Sequence, residues 1–177
     1  SIGGINTLFL YTNFLTPENY GLVVFLLSSA NVLMPLTAFG VQYTIVKFFS
    51  SYKTKVERDR FLSMAIILPL FIAIPIGFFG VIFYEKITQL LSLENSLIQD
   101  YTYIIYLIAI TTAYFEVFYS WSKVQLKSIF GNAIKELFSR IMIMILLLLV
   151  WLEVINQHQF ILYLTASYFL RMFVMQF

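Results

Sequence analysis

Four long stretches of the chain are apolar with no polar face: Tyr20 to Val46, Phe61 to Tyr84, Tyr101 to Trp121 and Leu137 to Leu152. Partial stretches flank them, Ile2 to Leu15 and Phe160 to Phe177. A soluble helix keeps one polar face, whereas a helix apolar all round is solvated by lipid or by protein. Most of these stretches match the roughly 20 residues that cross about 30 Å of hydrocarbon. The pattern predicts an all-α, polytopic transmembrane bundle of about six helices. They fall over residues 2–15, 20–46, 61–84, 101–122, 134–152 and 160–177, with the first and last truncated.

The polar gaps between the stretches alternate in charge. Lys47 to Arg60 holds Lys47, Lys53, Lys55, Arg58 and Arg60 against Glu57 and Asp59, and Ser122 to Glu136 adds Lys123, Lys127 and Lys135. The intervening gaps are poor in cations: Thr16 to Asn19 has none, Glu85 to Asp100 only Lys86, and Glu153 to Gln159 none. By the positive-inside rule the basic gaps are cytoplasmic, so the first helix runs outward. Tyr20, Tyr52, Tyr84, Tyr101, Tyr103, Trp121 and Trp151 fall near the predicted interfaces, where amphipathic rings settle.

Local signals refine the spans. Thr16-Pro17-Glu18-Asn19 reads as a helix start: a capping hydroxyl, a proline at the first helical position and an acid at the positive end of the dipole. Pro35, Pro69 and Pro75 each remove a backbone hydrogen bond and predict kinks whose carbonyls a neighbour satisfies. Gly77 and Gly80 permit close helix contact. Ile87, Leu90, Leu91 and Leu93 among polar neighbours predict a short amphipathic piece on the outer surface. Gly131-Asn132 predicts a turn where two helix ends meet inside.

Composition then removes whole classes of function. With 60% hydrophobic and only 11% charged residues, the chain cannot cover a water-facing surface, since soluble domains average about 25% charged. The net charge of +2 forms no basic stripe that would follow nucleic acid. Zero cysteines exclude disulfides and thiolate chemistry, and His158 alone makes no zinc cluster. Catalytic motifs are absent, so the chain does not read as an enzyme, and no metal or organic cofactor is implied. Because the chain starts at Ser1 and stops at Phe177 inside an apolar run, residues 1–177 read as a fragment of a longer protein.

The residues that could carry chemistry are the polar ones at membrane depth, where a charge costs roughly 2.5 to 3.5 kcal/mol and faces a cavity or a partner. At a rise of about 1.5 Å per residue, Glu116 lies about 10 Å and Arg140 about 7 to 8 Å inside the cytoplasmic boundary. Their matching depths predict an ion pair or a shared water-filled cavity; the alternative has Arg140 snorkelling to the headgroups and Glu116 protonated or facing water. Arg171 is either a cavity-lining cation or a residue near the cytoplasmic end of its helix. Asn31, Thr37 and Gln42 form a polar line along the second helix, which either joins the substrate path or hydrogen-bonds a neighbouring helix.

Leu15-Thr16-Pro17-Glu18-Asn19-Tyr20-Gly21, followed by a long apolar helix and Phe39-Gly40-Val41-Gln42-Tyr43-Thr44-Ile45-Val46-Lys47-Phe48, resembles the start of the bacterial polysaccharide flippases. These are lipid-linked oligosaccharide exporters related to multidrug and toxin extruders. Lys47 stands where the family has Arg, and Phe39 and Thr44 replace the usual Leu and Ala. Ser128-Ile129-Phe130-Gly131-Asn132 is similar to the family's turn between helices four and five.

The resemblance implies twelve to fourteen helices in two bundles within the inner (cytoplasmic) bacterial membrane. It implies alternating access, and transfer of an undecaprenyl-pyrophosphate-linked oligosaccharide into the outer leaflet through a cationic cavity. The implied partners are the bilayer, that lipid-linked substrate and a C-terminal bundle, with no nucleic acid. Arg140, Arg171, Glu116, Asn31 and Gln42 are the candidate substrate-binding residues. Two other readings stand beside it: a cation-coupled extruder with Glu116 as the coupling carboxylate, and a membrane-embedded glycan polymerase or ligase.

Overall fold

A segment surrounded by lipid must satisfy its backbone internally, so apolar stretches of this length fold as helix. The structure is a computed structural model that describes residues 14–176, and among these residues it is helical with no strand. The helices are α1 (Pro17–Ala38), α2 (Val41–Phe48), α3 (Lys55–Ile82), α4 (Tyr84–Leu91), α5 (Ile98–Val124), α6 (Ser128–Ala133), α7 (Ser139–Trp151) and α8 (Gln157–Met175). A π-helical turn, Ile134–Phe138, joins α6 to α7.

Three helices, α1, α3 and α5, are long and apolar enough to cross a bilayer. The expected count of six is therefore met in three. The stretch at residues 2–13 lies outside the described residues, α7 is only 13 residues long after its π-turn, and α8 carries Ser167 and Arg171 in its second half.

Capping chemistry sets the starts. The Thr16 hydroxyl accepts from the Asn19 amide at 3.4 Å with Pro17 in the first turn, as the sequence predicts. Two further starts lie outside the apolar stretches. Thr54 and Glu57 form a reciprocal capping box, so α3 begins at Lys55 rather than Phe61. Asn156 and Gln159 do the same for α8. Each box satisfies two amides that no hydrophobic pattern reveals.

The expected helix over 20–46 is broken. Phe39 and Gly40 take left-handed φ values of 50° and 70°, so α1 ends at Ala38 and α2 leaves in a new direction. The break comes just after Pro35, through which α1 continues, and Thr37 Oγ1 donates back to Met34 O at 2.9 Å.

The expected turn at Gly131-Asn132 is also displaced. The chain turns at Gln125 to Lys127 instead, and Gly131 sits inside α6, where a Cβ would lie 2.7 Å from Tyr119 Cε2. That glycine serves close packing, not a left-handed turn. At Gly77 the same holds: a Cβ would lie 2.5 Å from Tyr106 Oη, whereas Gly80 faces open space.

Helix α5 is the axis of the bundle, packing against α1, α2, α3, α4, α6 and α8. Leu22 and Leu26 of α1, Ile104 and Ile108 of α5, Leu147 of α7 and Leu164 of α8 form one continuous core. Contacts at the two ends agree with up-and-down threading. At one end Asn95 Nδ2 donates to Glu18 O at 2.9 Å, Asn19 bonds Gln157, and the Tyr101 hydroxyl meets His158 Nδ1 at 2.7 Å. At the other, Val41 and Ile45 of α2 pack with Ala65 of α3 and Val117 of α5, and Phe49 meets Trp121 edge to face. The basic connectors share this second end.

Candidate functional site

The most constrained charge among the described residues is Arg171 on α8. It lies fourteen residues past Gln157, about 21 Å along the helix at about 1.5 Å per residue. Thr112 lies fourteen residues past Ile98 on α5, and because α5 and α8 run in the same direction the two meet at one depth. Arg171 is 7% exposed. Its Nη1 donates to Ser139 Oγ at 3.0 Å and its Nη2 to Thr112 Oγ1 at 3.4 Å.

Two aromatic faces flank the guanidinium, Phe115 at 4.3 Å and Tyr168 at 4.8 Å. Ring quadrupoles attract a cation most where it is desolvated, by about 2 kcal/mol or more. No carboxylate is in ion-pair contact with it among the described residues, and Nε has no hydrogen-bond partner. Hydroxyls and rings make its direct contacts, and the Glu116 carboxylate is near enough to act on it electrostatically.

The two charges expected to meet have their ion pairs elsewhere. Glu116 Oε1 takes Lys135 Nζ at 2.6 Å, and Arg140 Nη2 takes Glu136 Oε2 at 2.9 Å within its own helix. Lys135 lies in the π-turn Ile134–Phe138 and reaches across to α5, while Arg140 and Glu136 stand four apart, an ordinary pairing distance along a helix. Lys135 also lies over the Tyr119 ring, at 5.1 Å. Depth alone predicted the pairing; the register change could not be read from it.

The polar line along the second helix is likewise divided. Asn31 is exposed on α1, Thr37 bonds its own helix, and Gln42 is buried on α2 with Oε1 unpartnered. Arg171 has its hydrogen bonds with Ser139 and Thr112, so the structure brings none of Asn31, Gln42 or Arg140 into them.

Sequence reasoning missed Ser139, Thr112, Phe115 and Tyr168. Tyr168 and Arg171, three apart on α8, carry a readable signal, because i,i+3 neighbours share a helix face. The hydroxyls carry none, since Ser and Thr at this depth more often bond their own helix, as Thr111 and Thr165 do.

A separate apolar cleft of about 830 Å³ opens between α1, α3, α4 and α5, with Val32, Leu36, Phe79, Phe83 and Tyr103 among its walls. It lies on the flank of the bundle, away from Arg171. The described residues contain no cluster of His, Cys, Asp or Glu that would hold a metal. No family model matches the chain, and neither a curated protein nor a solved structure does.

Proposed function

We propose that this chain belongs to a membrane transporter that moves an anionic, lipid-linked saccharide across a bacterial cytoplasmic membrane, with α7 and α8 completing the spanning bundle. The observation that carries the reading is Arg171: a guanidinium buried at span depth, held by hydroxyls and rings, with Nε unused. A buried charge without a contacting carboxylate is costly, and Glu116 acts on Arg171 only through space. A pyrophosphate would supply the missing partner through charge-assisted hydrogen bonds. The apolar cleft of about 830 Å³ offers an isoprenoid chain a lipid-facing surface on the same bundle, and the Thr16 to Gly21 turn supports the resemblance to polysaccharide flippases.

The extruder reading rests on Glu116, but that carboxylate is engaged by Lys135 at 2.6 Å. The test is complementation of a flippase-null strain by the intact protein. Arg171→Gln abolishes glycan export at normal expression, and Arg171→Lys restores part of it. Normal export by Arg171→Gln would refute the anion role.

A further inference from the structure

Helix α5 ends in a complete Schellman motif. Lys127 N donates to Ser122 O and Leu126 N to Lys123 O, both at 3.0 Å, and Leu126 takes the left-handed position with φ 62°. Glycine normally occupies that position, because a Cβ is unfavourable there. Here a leucine does, and it is 92% exposed. In the next turn Ile129 is 85% and Phe130 51% exposed.

The connector is held rigidly in this form. Ser122 Oγ donates to Lys127 O at 3.0 Å. Tyr119 bonds Asn132, and Gly131 lets the Tyr119 ring pack directly on α6. A large apolar side chain fixed outward at a strained backbone position breaks a local rule with no gain inside the fold. The connector begins where a candidate span ends, Lys123 and Lys127 flank Leu126, and Ser122 to Ala133 contains no Asp or Glu. Apolar groups at an interface beside cations with no acids complement an anionic lipid surface.

We propose that the connector Ser122 to Ala133 is a wedge that seats Leu126, Ile129 and Phe130 among the acyl chains of the basic-side leaflet and binds anionic phospholipid headgroups through Lys123 and Lys127. This rests on the membrane reading alone and is independent of the saccharide.

The test uses the intact protein with every tryptophan, Trp121 and Trp151 included, changed to Phe and with Ile129→Trp, reconstituted into phosphatidylcholine vesicles with and without phosphatidylglycerol, either lipid being brominated in turn. Brominated lipid quenches the new tryptophan, and phosphatidylglycerol is enriched around it by about fivefold per lysine. Lys123→Gln with Lys127→Gln removes that enrichment. Leu126→Gly raises thermal stability in detergent yet lowers quenching. A Phe130→Trp reporter repeats the measurement, so misfolding of one variant does not decide it. An unquenched tryptophan, as when a second copy or another protein covers the face, overturns the proposal. Equal quenching by both lipids overturns the headgroup assignment.

Discussion

Tyr106 of α5 donates its hydroxyl proton to the carbonyl oxygen of Ala73, 2.6 Å away, in the turn of α3 that precedes Pro75. Tyr114, two turns further along α5, donates to Ile66 O at 2.9 Å, just before Pro69. A proline removes an amide and crowds the carbonyls before it, and hydrocarbon supplies no water in compensation. The central helix thus places a phenol beside each proline of its neighbour, on carbonyls two and three residues before it, whereas the carbonyls that lose an amide are those of Phe71 and Ala65.

Removing either hydroxyl has a measurable effect. Tyr106→Phe and Tyr114→Phe each lower resistance to unfolding in mixed detergent micelles, by about 0.6 kcal/mol and at most about 1.7 kcal/mol, the range of interhelical hydrogen bonds in lipid. Pro75→Ala in α3 leaves the effect of Tyr106→Phe unchanged, because the restored amide reaches the Phe71 carbonyl and not that of Ala73. Strongly non-additive losses in the double variant would contradict that independence.

The Glu116–Lys135 pair predicts a small but specific energy. The two side chains are 16% and 38% exposed, so screening limits the interaction to about 1 kcal/mol or less. A double-mutant cycle of Glu116→Gln and Lys135→Gln shows coupling of that order. The cycle of Glu116→Gln and Arg140→Gln shows a smaller one. Reversal of that order would restore the pairing expected from depth alone.

Gly131 under Tyr119 predicts an overpacking effect. Gly131→Ala places a methyl against the ring and destabilises the chain by about 1–3 kcal/mol. Tyr119→Ala in the same chain removes most of that penalty, as thermal unfolding would register. Independent losses would show that the ring is not the obstacle.

What was legible in the sequence followed from physics acting along one helix. Apolar length located α1, α3 and α5, and Thr16-Pro17-Glu18 marked a helix start because capping is local. Span ends were misplaced where a helix continues past the apolar stretch: Lys55 to Arg60 is polar yet helical, since the Thr54–Glu57 box starts the helix before the first apolar turn. At the break Gly40 carries a readable helix-end signal, but the phenylalanine beside it in the left-handed region carries none. Arg171 was singled out by its depth, but its partners were not: Ser139 and Thr112 become neighbours only after three helices have packed.

All of this depends on the apolar helices threading the membrane with their basic connectors on one side. Residues 1–177 contain no cysteine, so single cysteines placed there report accessibility once any cysteine elsewhere in the intact protein has been replaced. The decisive measurement is labelling of intact cells by a membrane-impermeant maleimide, with Ser96→Cys and Gln159→Cys at one end and Lys53→Cys and Lys127→Cys at the other. The account predicts that the first two are labelled at once and the last two only after permeabilisation. Labelling of Lys53→Cys or Lys127→Cys in intact cells would contradict it.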